Sequence, residues 1–268
     1  MPILQHERLV AADAQPDHWL YVLHGVYGAG RNWATVMRRV VRRRPEWGAL
    51  LIDLREHGGS RGFAPPHTLA AAAGDLRDLG EATGLMPAGI LGHSFGGKVA
   101  LQYAWAFPEG LEQLWVVDST PEAGEPRGSA WEMLEVLRSV PASYASRDEA
   151  VAALEERGVE HGTALWLSAN LERDGRRLHW NIDVDVMEEL LRDFFATDLW
   201  ACVESPPRGL VLHFVQATRS SVLSAGAAEH IRAAGAQTGR VFLHEVEGGH
   251  WLNADNPDAL VELLSREL

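Results

Sequence analysis

The sequence predicts an α/β protein with a mostly parallel central sheet flanked by helices and a helical cap inserted near its middle. Two observations carry this. Six short, continuously apolar runs recur along the chain, each followed by turn residues and then by a helical pattern. Continuous rather than alternating apolarity is what a strand needs when helices cover both faces of its sheet. The rhythm also breaks once, between about residues 121 and 206, and resumes afterwards.

In chain order, ILQHERLV predicts an antiparallel edge strand, and WLYVLHG (19–25) the first parallel strand, with a helix over 31–44. The basic run Arg38-Arg39 and Arg42-Arg43-Arg44 falls at that helix's end, where cations suit the negative pole of the dipole. ALLIDLR (49–55) precedes a helix over 67–83, and AGILGHS (88–94) precedes one over 95–107. LWVVDST (114–120) ends the first half. The interruption is bounded by Pro121 and Pro126 on one side and Pro206-Pro207 on the other, and segments such as VDVMEELLRDFF have helical spacing. So long an interruption with its own periodicity predicts a subdomain rather than a loop. The expected organisation is a core of residues 1–120 and 207–268 with a cap over 121–206. GLVLHFVQ (209–216), a helix over 222–235, VFLHEVEGG (241–249) and a helix over 256–267 complete the core. That last helix opens on Asn256-Pro257, a capping residue before a proline suited to the first turn.

Composition narrows the function. A chain of 268 residues buries a core without disulfides or metals, and a formal net charge of -13 argues against a general nucleic-acid binder. The single cysteine, Cys202, reads as core. MPILQHERLV has no basic n-region or apolar h-region, and no segment approaches 18 uninterrupted apolar residues, so a soluble, cytoplasmic protein without a membrane span is expected.

The stretch GILGHSFGGKVAL carries two motifs. Gly92, Ser94 and Gly96 form G-x-S-x-G, a nucleophile elbow; Gly92, Gly97 and Lys98 imitate a phosphate loop. Val99 stands where the phosphate loop needs a metal-binding hydroxyl, which favours the elbow. G-x-S-x-G alone is weak, with about 0.1 chance match expected in a chain of this length. Its setting between an apolar run and a helical pattern is what an exposed serine hydroxyl requires.

A serine nucleophile needs a base, and His250 lies in EGGHWLNADNP between the last strand and the last helix. The loop after the penultimate strand, VQATRSSVL, holds no acid. Asp118, at the end of LWVVD, is the candidate third member, because an imidazolium needs a counter-charge; a turn-forming aspartate is the alternative. Ser220 is a candidate extra partner for the histidine. The backbone N–H groups of Val26 and Phe95 are the candidate oxyanion hole. Asp53-Leu54-Arg55-Glu56-His57-Gly58-Gly59-Ser60 is read as structural, with Arg55 and His57 bonding neighbouring loops. No HExxH or comparable spacing occurs, so neither a metal nor a cofactor is predicted. Tryptophans of the cap and catalytic loops, Trp33, Trp166, Trp180, Trp200 and Trp251, are candidates for a narrow apolar pocket.

These residues together resemble the α/β-hydrolase superfamily, and within it the YbfF-like bacterial serine esterases and their mitochondrial abhydrolase relatives. The resemblance rests on HGVYGAGRNW, DLREHGGS, GHSFGGKVAL, VVDSTP, the segment around Leu178-His179-Trp180-Asn181, and GGHWLNADNP. It implies a carboxylesterase with Ser94, Asp118 and His250 as triad, and makes Lys98 an ordinary companion of the elbow. The chain departs from the pattern at Ala217-Thr218-Arg219-Ser220, where a glycine-rich stretch ending in Asn-Ser is expected. The expected activity is hydrolysis of short to medium acyl esters of small molecules. Other chemistries of the scaffold, cofactor-free perhydrolysis or C–C cleavage, and a catalytically silent ligand-binding homologue stay open. Dehalogenation is disfavoured, because its elbow nucleophile would be a carboxylate.

Overall fold

A computed structural model describes residues 2–268. The chain begins with β1 (His6–Leu9), β2 (His18–Leu23), a short 3-10 turn (Gly30–Trp33), α1 (Ala34–Arg43) and β3 (Trp47–Ile52). It continues through α2 (Leu69–Thr83), β4 (Gly89–His93), α3 (Phe95–Ala106) and β5 (Gln113–Val117). An inserted segment follows: α4 (Ser129–Ser139), β6 (Ser143–Tyr144), α5 (Arg147–Glu155), α6 (His161–Ser168), β7 (Leu171–Asp174), β8 (Arg177–Trp180), α7 (Val184–Ala196) and α8 (Trp200–Glu204). The core resumes with β9 (Val211–Ala217), α9 (Ala225–Thr238), β10 (Val241–Val246), α10 (Leu252–Asp255) and α11 (Pro257–Glu267).

Seven strands form one sheet in the order β1-β3-β2-β4-β5-β9-β10. Only β1 is antiparallel, pairing with β3 from His6 opposite Ile52 to Leu9 opposite Ala49. Successive strand residues face opposite sides. Leu20, Val22, Leu91 and Val117 pack with α1 and α11, whereas Tyr21, Leu23, Ile90 and Val116 pack with α2 and α3. Both faces are therefore buried, which accounts for the unbroken apolar runs.

The helix starts follow local chemistry. Thr68, Ser224 and Asn256 each accept a hydrogen bond from the amide three residues ahead, at Ala71, Ala227 and Ala259. Gly84 and Gly239 end α2 and α9 in the left-handed conformation that glycine adopts freely.

The inserted segment is not purely helical, as its periodicity suggested. It holds a second sheet, antiparallel, in the order β6-β8-β7. Asp174 pairs with Arg177 across the two-residue turn Gly175-Arg176, a hairpin too short for period-2 alternation to register. Among the described residues no helix is long and apolar enough to cross a membrane.

Candidate active site

The site lies at the carboxyl ends of the parallel strands, where open α/β sheets present their loops. Ser94 follows β4 directly and holds φ 52°, ψ -118°. A non-glycine residue in such a conformation is strained by about 1–3 kcal/mol, and the surrounding packing holds it there. A Cβ on Gly92 would lie 2.1 Å from the Gly96 carbonyl oxygen, and one on Gly96 would lie 2.5 Å from that of His24. Both glycines thus permit the sharp turn and the approach of the His24-Gly25 loop. Among the described residues five non-glycine residues have positive φ, and three of them are Tyr27, Ser94 and Asp118. The strain concentrates here, as it does at functional sites generally.

Asp118 follows β5, and His250 lies four residues beyond β10. His250 Nδ1–H donates to Asp118 Oδ2 at 2.6 Å, and the carboxylate is fully buried. The Ala217 amide at the end of β9 donates to Asp118 Oδ1 at 3.3 Å. This pairing leaves Nε2 of His250 as the ring's acceptor. Ser94 and His250 line one cavity of about 130 Å3 with Val26, Tyr27, Met133 and Trp166. Among the described residues no hydrogen bond joins the Ser94 hydroxyl to His250. The amides of Val26 and Phe95 likewise donate to no acceptor among the described residues, Phe95 standing at the first position of α3.

Three contacts fix the histidine's loop. His93 Nε2–H donates to the His250 carbonyl at 2.8 Å, with ring centroids 4.7 Å apart. The Gly249 amide donates to Asp255 Oδ2 at 2.7 Å, and Asn253 Nδ2 donates to the Asn32 carbonyl at 2.9 Å. Burial, reinforced by the neighbouring His250, pushes the His93 pKa down to about 3, so this ring is a neutral strut. Sequence reasoning missed His93; its signal was its place immediately before Ser94. It also missed Tyr27, Ala130 and Met133 in the cavity wall. Tyr27 donates its hydroxyl to the Ala130 carbonyl at 2.8 Å, tying the β2 loop to α4.

Other expectations need correction. Ser220 does not bond His250: its hydroxyl accepts the Val222 amide at 3.2 Å in a local turn. Of the five tryptophans, only Trp166 and Trp251 line the cavity. Trp33 is 1 % exposed and packs beneath the sheet against α1, because the 3-10 turn directs it into the core. Trp180 donates to the Pro141 carbonyl in the small sheet, and Trp200 stacks on His230 at 4.0 Å. The Asp53 loop is a structural knot. Asp53 accepts from Gly30 and Gly59, and Arg55 forms a two-pronged pair with Asp75 at 2.6 and 3.0 Å and also holds the Pro66 carbonyl. His57 Nδ1–H donates only to the nearby Arg55 carbonyl.

Lys98 is fully buried. Its ammonium donates to the carbonyls of Glu122 and Phe194, each at 2.6 Å. It joins α3 to the start of the inserted segment at Glu122 and to α7, so its ammonium is committed to backbone carbonyls rather than to a phosphate. Burial lowers its pKa to about 8. Cys202 is buried, and burial raises its thiol to about 12. Among the described residues no group of three or more His, Cys, Asp or Glu side chains is placed to hold a metal ion.

Known proteins resemble the chain in sequence and in fold. The chain is 28% identical over 249 residues to the sn-1-specific diacylglycerol lipase ABHD11 of Mus musculus, covering 91% of this chain and 78% of that protein. It is 24% identical over 251 residues to Esterase YbfF of Escherichia coli (strain K12), covering 93% and 92%. The solved structure of a marine microorganism esterase superposes with a TM-score of 0.85 at 23% identity over the full length of both chains, a likeness of fold. The model of the alpha/beta hydrolase family matches residues 20–263, and with the strand order and elbow described above it establishes that the chain belongs to that family.

Proposed function

We propose that the protein is a serine carboxylesterase that hydrolyses short to medium acyl esters through Ser94, His250 and Asp118. The observation that carries this reading is the 2.6 Å bond from His250 to the buried Asp118 in the loop that shares a cavity with the strained Ser94. Asp118 holds the imidazole so that Nε2 accepts the Ser94 proton during attack, and stabilises the imidazolium that forms. The uncommitted amides of Val26 and Phe95 donate to the developing oxyanion, each worth about 2.7–4 kcal/mol in the transition state. His250 then protonates the departing alcohol, activates water, and the acyl-enzyme is hydrolysed. The contact between Ser94 and His250 tightens when substrate closes the site.

Two features support the ester as substrate. The relatives include one named an esterase and one named an sn-1-specific diacylglycerol lipase. The cavity at Ser94 is about 130 Å3, small beside the roughly 300–1,000 Å3 of sites for drug-sized ligands, which favours short acyl chains. The inserted segment supplies Ala130, Met133 and Trp166 to its wall and serves as the cap that selects the substrate.

The decisive measurement is turnover of p-nitrophenyl butyrate by wild type and Ser94→Ala, with circular dichroism confirming the fold. Loss of about 10^6-fold in kcat is expected for a missing triad serine. Undiminished turnover, or a fluorophosphonate probe that ignores Ser94, would overturn the reading.

A further inference from the structure

The loop that carries the Val26 amide folds as a tight turn, closed by the Gly28 amide donating to the Gly25 carbonyl at 3.0 Å. Tyr27 stands third in that turn with φ 62°, where glycine or asparagine ordinarily supplies the positive angle. A bulky residue keeps such a conformation only where its surroundings over-determine it. A Cβ on Gly25 would lie 3.3 Å from the Ser94 Cβ, so the turn rests against the nucleophile. A small shift of the turn therefore moves the Val26 N–H relative to the reacting carbonyl.

Among the described residues two hydrogen bonds hold Tyr27, and both run to the inserted segment. Its hydroxyl donates to the Ala130 carbonyl at 2.8 Å, and its own carbonyl accepts from Asn170 Nδ2 at 2.8 Å. Asn170 lies between α6 and β7, is 8 % exposed, and is itself locked. The same Nδ2 donates to the Leu167 carbonyl at 3.2 Å, and the Asn170 carbonyl accepts the Asn181 amide at 2.8 Å. On either side of it, Arg147 from α5 donates to the carbonyls of Ser168 and Leu171. Asn170 is also only four residues beyond Trp166, which lines the cavity at Ser94.

We propose that Asn170 is a positioning residue for the oxyanion hole: its amide holds the strained Tyr27 so that the neighbouring Val26 N–H stays aimed at the carbonyl oxygen of an ester on Ser94. This rests on the esterase reading above. Charge gathers on that oxygen in the transition state, and a donor counts only if it already points there. An error of about 1 Å in such placement costs about 10^2-fold in rate. The inserted segment thus completes the catalytic geometry as well as walling the cavity. Asn181 supplies the comparison from the other end of the same hairpin. Its Nδ2 donates to the Gly58 carbonyl at 3.0 Å, and its carbonyl accepts from Arg61, so it docks the segment on the core without touching the Val26 loop.

The test measures p-nitrophenyl acetate kinetics and inhibition by trifluoroacetone, whose hemiketal with Ser94 carries an oxyanion. Full-length wild type, Asn170→Ala, Asn170→Asp, Asn170→Gln and Asn181→Ala are compared, with Ser94→Ala as blank and circular dichroism on each. Asn170→Asp keeps the size of the side chain and turns a carboxylate toward the Tyr27 carbonyl, which provides a second reading should the alanine variant not fold. Both variants should lower kcat at least about tenfold with KM within about threefold, and raise the inhibition constant by a matching factor. Asn170→Gln, which keeps the amide, should recover part of the loss, and Asn181→Ala should change kcat by less than about threefold. A kcat within about twofold of wild type in the folded Asn170 variants overturns the proposal while the esterase reading stands. So does a fall in kcat with unchanged inhibitor affinity, or an equal fall in Asn181→Ala, either of which would make Asn170 a docking contact only. No wild-type turnover above the blank overturns the esterase reading and this inference with it.

Discussion

At the scale of single residues, Asp118 tests how far chemistry can be read from spacing. It was legible as a carboxylate at a strand tip and favoured over a turn-forming aspartate because an imidazolium needs a counter-charge; the structure adds a 2.6 Å bond from His250. Its φ of 42° and full burial mark a group the fold holds against preference. Asp118→Asn should keep the fold and lower kcat by about 10^4-fold with little change in KM, because the amide favours the wrong imidazole tautomer. Steady-state kinetics on a short-chain ester check this; a loss confined to KM would assign Asp118 to substrate binding. Ser94 and His250 were legible for another reason: their motifs demand a strand before and a helix after, and apolar runs are easy to read. Trp33 was misread because residue type says an aromatic lies near a loop and not which way it points.

Between residues and the whole lie the elements, and here the inserted segment was read in outline only. Its two longest helices, α4 and α7, repeat with a period of 3.6 over 11 and 13 residues, whereas β6 has two residues and β7 and β8 four each. The pair Asp174-Gly175 was a usable hairpin signal, overridden by the surrounding helical pattern. What no local pattern could reveal is the clamp from α3 to this segment through Lys98, whose partners lie 24 and 96 residues away. Lys98→Met should unfasten the segment from the nucleophile's helix, lowering stability by about 3–5 kcal/mol, since two buried carbonyls lose their donor. The clamp also titrates. The folded protein holds this amine near 8 against an ordinary 10.5, so the unfolded chain binds more protons between those values. Wild-type stability should therefore rise relative to Lys98→Met as pH goes from 8 to 10.5, and fall back as pH drops through 8. Urea midpoints of both proteins at pH 7, 8.5 and 10 measure the difference. A gap between them that narrows as pH rises would contradict this account.

Over the whole molecule, the same linkage predicts acid sensitivity. His24, His57, His93, His213 and His244 all have lowered pKa values with burial as the leading cause, down to about 3 for His93 and about 4 for His213. They occupy structural positions: His24 Nε2 accepts the Leu54 amide at 3.0 Å while its Nδ1–H donates to the Gly25 carbonyl, and His213 stacks on Trp115 at 4.1 Å. Each is neutral in the folded protein and takes up a proton near pH 6.5 once unfolded. The unfolded state therefore binds more protons as pH falls below 6.5, and stability declines toward the folded-state values. Each group contributes up to about 1.4 kcal/mol per pH unit. Against a total of about 5–15 kcal/mol, even two or three such groups remove most of the stability within two pH units. The ordinary carboxylate range lies below this window, so the slope in it reports the histidines. Asp75, whose carboxyl is raised by burial, acts in the opposite direction. Chemical denaturation at half-unit steps from pH 7.5 to 5 should give a slope exceeding two protons per molecule below pH 6. Replacing His213 by Phe, which preserves the stack on Trp115, should reduce that slope by close to one proton. A flat profile over this range would mean that these rings are hydrated or charged in the native protein, and the account of them as a buried neutral framework would have to be abandoned.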